Sequence, residues 1–457
     1  MHEIYYLKNE YSKNVQVRDG DTFYAGKLTF SPKECYIEIS TERQPSENFS
    51  LSETLSCTTN YPQTVFKLFG LNLVSISSTV LEYKENNLIN SFTIKFSIQY
   101  IVISETTFLE NKKINSFSIK ANFIKKWTMH TKTQNELLNS LYTRDNSRYE
   151  NFTEFEQEIQ NFGDIGIFYS STEFTSIDEL NAGLQLFPEM RLTFLNDLEM
   201  EDVFKEYLKL YQLLTLFNGG DFKVDTIELQ IEGWSPRNLA YLYFPSTQIE
   251  EKLNFTLLPL GKDLIYKTQE LSTLPLNFFN IYYGLTEEKV ELFKRYLNYK
   301  RLTSIEDKFL GYFRLLEKLT FKKEPYVDKE LLENLLDRAK PYVAKKLNTK
   351  NKTVKALNQR IIYMNQSKLN TEKCIGDFFE RIPAEILSTF IYSKTDLTKI
   401  CKLRNDITHA NDYIITHEEL YKYTVFINSL LFLAFINILL EIPLETCIPI
   451  ANRLDRI

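Results

Sequence analysis

The stretch CKLRNDITHAND, Cys401–Asp412, decides how the second half of this chain folds. It continues an apolar pattern at helical spacing, made by Leu397, Ile400, Leu403, Ile407 and Ala410. The other side carries Arg404, Asn405 and His409, and the chain has only four histidines in 457 residues. The spacing predicts an amphipathic helix over 396–411 with a small polar patch.

The polar patch has residue types suited to phosphodiester chemistry. Arg404 and His409 would lie about 140° apart around the helix and about 7.5 Å apart along it, while Asn405 and His409 are i,i+4 neighbours. An imidazole exchanges protons near neutral pH, and a guanidinium donates forked hydrogen bonds to phosphate oxygens. The alternative is that these side chains only make hydrogen bonds on the helix surface, because the spacing also occurs by chance.

Helical spacing extends over residues 286–457. It predicts the following helices: Thr286–Tyr299, Ser304–Phe321, a helix from Asp328 to Pro341, helices near 375–393 and 396–411, and a last helix that begins at Thr416. Glu419 lies three residues after Thr416, as in a capping box. The apolar run Val425–Leu440 is shorter than the ~20 residues of a membrane span, so we expect a buried core or interface helix.

The first part of the chain, residues 1–195, has the alternation of β-strands. Strand-like segments are Thr22–Phe30, Cys35–Ser40, Ser91–Ser104 and Ser116–Ile124. Short strands with frequent polar turns predict a sandwich or barrel-like layer. Residues 196–285 mix a helix, Met200–Phe217, with renewed alternation, so they form either a separate segment or the completion of the first domain. The fold class is therefore α+β and multidomain.

Charge is distributed unevenly along the chain. Lys and Arg number 54 and Asp and Glu number 60, but residues 300–457 carry a net +6 and residues 1–299 a net −12. Halves of opposite sign indicate different partners. The N-terminus shows no signal-peptide pattern, and the five cysteines are scattered and odd in number. We therefore expect a cytoplasmic protein without a disulfide framework or a zinc site.

A basic tract lies between Arg338 and Thr371, where nine Lys and Arg residues occur without any Asp or Glu. Tyr342 and Tyr363 lie among them and could stack on unpaired bases. Such a bias favours contact with RNA phosphates, and the alternative is a solubilising surface. The predicted RNA-binding residues are Lys340, Lys345, Lys346, Lys350, Lys352, Lys355 and Arg360.

Arg404 and His409 are separated by four residues, the first of which is polar, and their helix precedes a long apolar helix. This motif resembles that of the HEPN family of helical domains. The segment IEDKFLGYFRLLEKL, Ile305–Leu319, is similar to an early helix of the ApeA-type branch, and FYAGKLTFSPKECYIEI, Phe23–Ile39, resembles the start of its N-terminal domain. The resemblance implies an ApeA-like domain in residues 1–195 and a HEPN domain in residues 286–457.

The resemblance also implies an activity. Many HEPN proteins are metal-independent endoribonucleases that act as two-fold dimers, here with Arg404 and His409 as catalytic residues and Asn405 holding His409 or the phosphate. The expected products carry a 2′,3′-cyclic phosphate and a 5′-OH. The implied role is an anti-phage effector that cuts cellular RNA, such as tRNA, after a phage-derived trigger reaches the N-terminal domain. We expect no cofactor and no membrane partner.

A different class of function stays open. The helical bundle could be a non-catalytic module that binds a nucleotide or a protein, with Arg404 as a structural ion-pair former. The sequence contains no Walker A loop, no Gly-x-Gly-x-x-Gly, no His-Glu-x-x-His and no Gly-x-Ser-x-Gly motif that would indicate other chemistry. A nuclease needs Arg404 and His409 exposed at a dimer interface, whereas a binding module does not.

Overall fold

The computed structural model describes residues 3–19, 22–42, 47–60, 63–84, 87–105, 112–143, 152–176, 181–232, 239–246, 255–265, 271–367 and 370–456. The chain divides into two compact units, Met1–Leu285 and Thr286–Ile457. The first is built on a β-sheet and the second consists of helices. The predicted order of a β-rich region followed by a helical region is confirmed.

Within the described residues, fourteen strands pair into one antiparallel sheet in the order β10-β11-β12-β9-β13-β14-β8-β5-β4-β1-β2-β3-β7-β6. The strands are β1 Tyr11–Asp19, β2 Thr22–Phe30, β3 Cys35–Thr41, β4 Thr54–Thr58, β5 Val65–Phe69, β6 Asn72–Lys84, β7 Asn87–Ser97, β8 Tyr100–Ser104, β9 Ile114–Ala121, β10 Thr153–Ile159, β11 Gly163–Ser176, β12 Asn181–Leu198, β13 Val224–Ile231 and β14 Leu239–Tyr243. The layer expected from the sequence is thus a single hydrogen-bonded sheet.

Burial along the strands follows their position in the sheet. In β3, Cys35, Ile37 and Ile39 are buried and the residues between them are partly exposed, which is the period of two of a strand with one covered face. Strand β8 lies in the middle of the sheet and is buried at every residue. The predicted continuous strand Ser91–Ser104 was wrong in one respect, because the chain leaves β7 after Ser97 and enters β8 at Tyr100.

Helices of the first unit are α1 Glu47–Ser50, α2 Asn122–Thr128, α3 Lys132–Thr143, α4 Val203–Asn218 and α5 Phe278–Tyr283. Helix α4 stops at Gly219, whose φ of 83° is left-handed and suits glycine. After α4, strand β13 pairs with β9 and with β14, and β14 pairs with β8. The strands of residues 196–285 are therefore inserted in the middle of the N-terminal sheet.

Helices of the second unit are α6 Glu287–Arg301, α7 Ile305–Thr320, α8 Lys329–Lys346, α9 Asn351–Ser367, α10 Thr371–Phe379, α11 Ala384–Leu387, α12 Leu397–Thr408 and α13 His417–Ala434. A π-helical turn, Phe435–Leu439, continues α13, and 3-10 turns cover Lys394–Asp396 and Leu444–Arg456. Helices α6 and α7 approach closely, since a Cβ on Gly311 would lie 2.5 Å from the ring of Tyr299.

Two predicted helix boundaries before α12 were wrong. The helix expected near 375–393 ends at Phe379, and a short helix starts again only after Pro383, because proline cannot donate a backbone hydrogen bond and disfavours the helical conformation of the residue before it. The helix expected to stop at Pro341 instead continues to Lys346. Its first turn is anchored by Asp328, whose side chain accepts a hydrogen bond from the backbone N–H of Leu331 at 2.9 Å.

The long apolar helix α13 is a core helix of its own unit. Together with the turn that follows it, the helix is long and apolar enough to cross a membrane, yet 78% of its most apolar stretch is buried inside the chain. Ser429 is bonded within the unit, because its Oγ donates to the carbonyl of Leu454 at 2.7 Å. Phe293 and Tyr296 of α6 pack on Phe435 with ring centroids 4.8 and 5.3 Å apart. Packing within its own unit thus covers most of its apolar surface, as expected of a core helix.

Candidate active site at the end of helix α12

Helix α12 is held on its apolar side and exposes its polar side. Leu397, Ile400, Cys401 and Leu403 are buried, and the helix contacts α10 and α7. Burial raises the pKa of the Cys401 thiol to about 12, reinforced by the nearby carboxylate of Glu372. The thiol is therefore protonated at neutral pH, so Cys401 is a packing residue and not a nucleophile.

His409 lies one residue beyond the helix, at its C-cap, and is exposed. The next residue, Ala410, has a left-handed φ of 53°. The backbone N–H groups of Ala410 and Asn411 donate to the carbonyls of Ile407 and Asp406 at 3.2 and 2.9 Å, which is the Schellman pattern of a helix end. The prediction of a helix through residue 411 was therefore wrong: the imidazole extends from a terminus and not from a regular helix face.

Arg404 is fixed by three contacts. Its Nη2 donates to a carboxylate oxygen of Glu317 in α7 at 2.5 Å, and its Nη1 donates to Oδ1 of Asn405 at 2.9 Å. The guanidinium also lies over the ring of Phe313, 5.3 Å from the centroid. The side chains of Arg404 and Glu317 are only 21% and 24% exposed, so this ion pair is half-buried and better shielded from solvent than a surface pair.

Glu317 connects three helices around the site. One carboxylate oxygen accepts from Arg404 and the other accepts from the hydroxyl of Thr371, the first residue of α10, at 2.6 Å. A parallel link joins Thr398 of α12 to Glu372 of α10 at 2.7 Å. Sequence reasoning missed Glu317, although it lies four residues after Phe313 and therefore on the same face of α7. No local pattern marks it, because its partner is distant in the chain.

The structure brings the side chains of two of the three predicted catalytic residues into contact. Arg404 and Asn405 are hydrogen-bonded through their side chains, and the backbone N–H of His409 donates to the carbonyl of Asn405 at 2.9 Å. Over the described part of the chain, the imidazole of His409 makes no hydrogen bond or ion pair. No cluster of three or more His, Cys, Asp or Glu side chains that could hold a metal ion occurs among the described residues.

The predicted RNA-binding residues lie away from α12 in sequence, on α8, α9 and the turn between them, which pack against each other as a hairpin. Lys340 is half-exposed, and the other six are exposed: Lys345, Lys346, Lys350, Lys352, Lys355 and Arg360. Tyr342 and Tyr363 are 65% and 72% exposed. Neither assignment, catalytic or RNA-binding, is tested by this geometry, and both stay predictions.

A helical bundle with an Arg-x-x-x-x-His motif that ends in an exposed histidine has the features of a HEPN domain. The model of the Apea-like HEPN family matches residues 310–445, and the model of ApeA N-terminal domain 1 matches residues 10–263. The chain belongs to the ApeA-type HEPN family. No curated protein and no solved structure matches it.

We predict that the ion pair between Arg404 and Glu317 stabilises the helical unit measurably. A double-mutant cycle of Glu317→Gln and Arg404→Gln should give a coupling energy of about 1–2 kcal/mol, because half-buried charges are screened less than exposed ones. The measurement is urea unfolding followed by circular dichroism. The matched control is the exposed i,i+4 pair Glu418–Lys422 on α13, which should give no more than about 0.5 kcal/mol. Equal coupling in both cycles would contradict the prediction.

Proposed function

We propose that this protein is a metal-independent endoribonuclease of anti-phage defence that acts in the cytoplasm. Family membership supports an effector role in anti-phage defence, and HEPN domains are in general ribonucleases. The observation that carries the proposal is the exposed end of α12, where His409 follows an Arg404 that is held in one orientation by Glu317 and Asn405. The substrate is cellular RNA, with tRNA as the first candidate.

The reaction is an internal transesterification. The ribose 2′-oxygen loses its proton and attacks phosphorus, the bond from phosphorus to the 5′-oxygen breaks, and the leaving 5′-oxygen gains a proton. The products are a 2′,3′-cyclic phosphate and a 5′-OH. One imidazole acts as the base and a second, protonated one acts as the acid. Each chain supplies one His409, so the complete site requires two chains related by a two-fold axis.

Arg404 would offset the negative charge that develops on the non-bridging phosphate oxygens. A guanidinium has five N–H donors, and the contacts with Glu317 and Asn405 use one hydrogen on each of two nitrogen atoms. Further hydrogens on Nη1 and Nη2 are left for a phosphate. Glu317 is a positioning residue in this scheme, because it fixes the guanidinium plane and does not touch the substrate.

RNA would be held by the exposed cations of the α8–α9 hairpin. Its basic tract has no Asp or Glu to repel phosphates. The acidic N-terminal region, with its net −12 over residues 1–299, is less suited to RNA and would receive the phage-derived trigger. The two jobs would thus be divided between parts of the chain that carry charges of opposite sign.

The second candidate is a non-catalytic module that binds a nucleotide or a partner protein. It is favoured by the contacts of Arg404 with Glu317 and Phe313, which give the arginine a structural role without any substrate. The two functions differ in what they require of His409, because a binding module gains nothing from an exposed imidazole at the C-cap of α12.

We predict that His409→Ala lowers RNA cleavage by a factor of roughly 10²–10⁴, the usual contribution of a general acid or base. The side chain is exposed, so the stability should change by no more than about 0.5 kcal/mol. Cleavage is measured by sequencing RNA ends after the purified protein acts on total RNA. The matched control, His417→Ala at the exposed start of α13, should cut like the wild type. Cleavage by His409→Ala at the wild-type rate would refute the catalytic assignment of His409.

We further predict that the active site is composite. When His409→Ala chains are mixed with wild-type chains under conditions of subunit exchange, activity should fall with the square of the wild-type fraction, because a mixed dimer lacks one imidazole. The titration is followed with a fluorescent RNA substrate. A linear decrease with the wild-type fraction would mean that each chain cuts alone.

A third prediction concerns RNA affinity. Reversing three charges with Lys345→Glu, Lys346→Glu and Lys350→Glu should reduce the slope of log affinity against log salt by about 0.7 per lost phosphate contact with single-stranded RNA. Binding is measured by fluorescence anisotropy over a salt series. The control reverses three exposed charges of α6, at Lys289, Lys294 and Arg295, which keeps the net charge equal. Equal slopes in the two variants would show that the tract is only a solvated surface.

A further inference from the structure

Helices α8 and α9 form a hairpin, Lys329–Ser367, that we call the arm. Ala344 of α8 and Val354 and Asn358 of α9 are buried, and the amide of Asn358 donates to the carbonyl of Leu336 at 3.0 Å. At the base of the arm, Asn365 both donates to and accepts from the backbone of Val327. Buried asparagines with satisfied amides fix the pairing of the two helices.

Large apolar side chains remain exposed on the arm after the two helices have packed together. Leu331, Leu335 and Tyr342 of α8 are 71%, 63% and 65% exposed, and Leu357 and Ile361 of α9 are 47% and 36% exposed. Their spacings of four, seven and again four residues make one stripe along each helix. Scattered single apolar residues are normal on a surface, but two aligned stripes are not.

The two stripes lie on the same side of the arm. Each residue turns an α-helix by about 100°. The stripe of α8 is therefore rotated roughly 90° away from the side of α8 that packs on α9. The stripe of α9 is rotated roughly 70°, in the same sense, away from the side of α9 that packs on α8. Because α8 and α9 run antiparallel, these similar rotations in the same sense bring both stripes to the same side of the arm. We call this surface the apolar face; it consists of Leu331, Leu335, Tyr342, Leu357 and Ile361.

Charge along the arm is divided into two halves. With its N-cap, the first half of α8 carries four acids, Asp328, Glu330, Glu333 and Asp337, and the single cation Lys329, whereas the second half carries Arg338, Lys340, Lys345 and Lys346 and no acid. Two arms packed face to face in a parallel manner would set like charges together at both ends. Packed antiparallel, they set the acidic base of each arm beside the basic tip of the other. Charge complementarity therefore identifies a second copy of the same arm as a fitting occupant.

RNA fits this face less well. Four of its five side chains are leucine or isoleucine, which neither stack on bases as aromatic rings do nor bind phosphates, and the acidic base of the arm would repel the RNA backbone. The exposed cations of α9, Lys352, Lys355 and Arg360, stay available for RNA beside the apolar face. Helix α13 leaves less apolar surface uncovered than the arm does, because 78% of its most apolar stretch is already buried within the chain.

We propose that the apolar face is a self-association surface through which the arms of two copies pack antiparallel about a two-fold axis. The inference rests on the proposed function only in that it gives the proposed dimer a contact surface, and it stands without any cleavage. The helices are about 27 Å long, so the face covers on the order of 500 Å² per copy, less than the ~800 Å² of a standard stable interface. The dimer should therefore be weak and reversible, so its population should depend on protein concentration.

The first test is sedimentation equilibrium of the full chain over a range of concentrations. The double variant Leu331→Glu/Leu335→Glu should raise the dimer dissociation constant by about a hundredfold or more, because two apolar contacts are lost and two carboxylates must be desolvated in the interface. The matched control is Leu195→Glu/Ile391→Glu, which adds the same charge at two apolar side chains that are 67% and 73% exposed and lie outside the arm. A wild type that is monomeric at ~100 µM, or equal weakening by the control, would overturn the proposal.

The second test addresses the antiparallel arrangement with a charge swap at low ionic strength. Lys345→Glu/Lys346→Glu alone and Glu330→Lys/Glu333→Lys alone should each weaken self-association, because each sets like charges together at both ends. An equimolar mixture of the two variants should associate like the wild type, because opposite charges meet again. No recovery in the mixture overturns the antiparallel packing.

Outcomes for assembly and for catalysis are separable. A Leu331→Glu/Leu335→Glu chain that keeps its dimer mass but loses RNA affinity would show that the apolar face contacts RNA, and would refute the proposal while leaving the nuclease intact. Conversely, a wild type that dimerises through the arm without cutting RNA would refute the proposed function alone. All of these variants change exposed side chains, and circular dichroism checks that each one folds.

Discussion

The half-buried ion pair between Arg404 and Glu317 is the interaction on which the candidate site depends. An arginine side chain that is only 21% exposed has lost much of its hydration, and that loss is offset only by a charged partner in good geometry. Glu317 provides it from α7, and Phe313 supports the flat guanidinium from below. Since α7 is itself packed on the core helix α13, the arginine of the motif is tied to the most buried part of the helical unit.

A second constraint sets the position of the imidazole. The chain must leave α12 at Thr408 because Ala410 takes a left-handed conformation, which costs an L-residue other than glycine, asparagine or aspartate roughly 1 kcal/mol. The two backbone hydrogen bonds of the Schellman turn offset that cost. The result is a histidine on a rigid cap, close in sequence to an arginine whose orientation is fixed by a different helix. Rigid supports of this kind are what precise positioning of catalytic groups requires.

Much of this organisation can be predicted from the sequence, for reasons that are local. Alternating apolar residues in Cys35–Thr41 and apolar residues at helical spacing in Ile305–Thr320 indicate directly which side chains are buried. A pair of glycines after α4 indicates where that helix ends. Other features depend on distant parts of the chain. Nothing near Glu317 indicates an arginine 87 residues later, and Ala410 lacks the glycine that normally marks a left-handed cap. Proline predicted a helix end at one position and not at another, because the helical run is interrupted before Pro383 whereas α8 continues through Pro341.

The apolar helix α13 shows why a surplus of apolar residues is weak grounds for an oligomer. Its sequence is apolar nearly all round, yet α6, α7 and the C-terminal 3-10 turn pack against it within one chain. The arm is the reverse case: its mean composition is polar and strongly charged, but its folded form leaves aligned leucines in solvent. Composition measures how much apolar surface a segment has, and only the fold decides how much of it stays uncovered. A dimer held by the arm and a site built at α12 would then use different parts of the helical unit. Separated chains would each keep Arg404 fixed by Glu317, but the composite site would lose its second imidazole, so cleavage would depend on assembly.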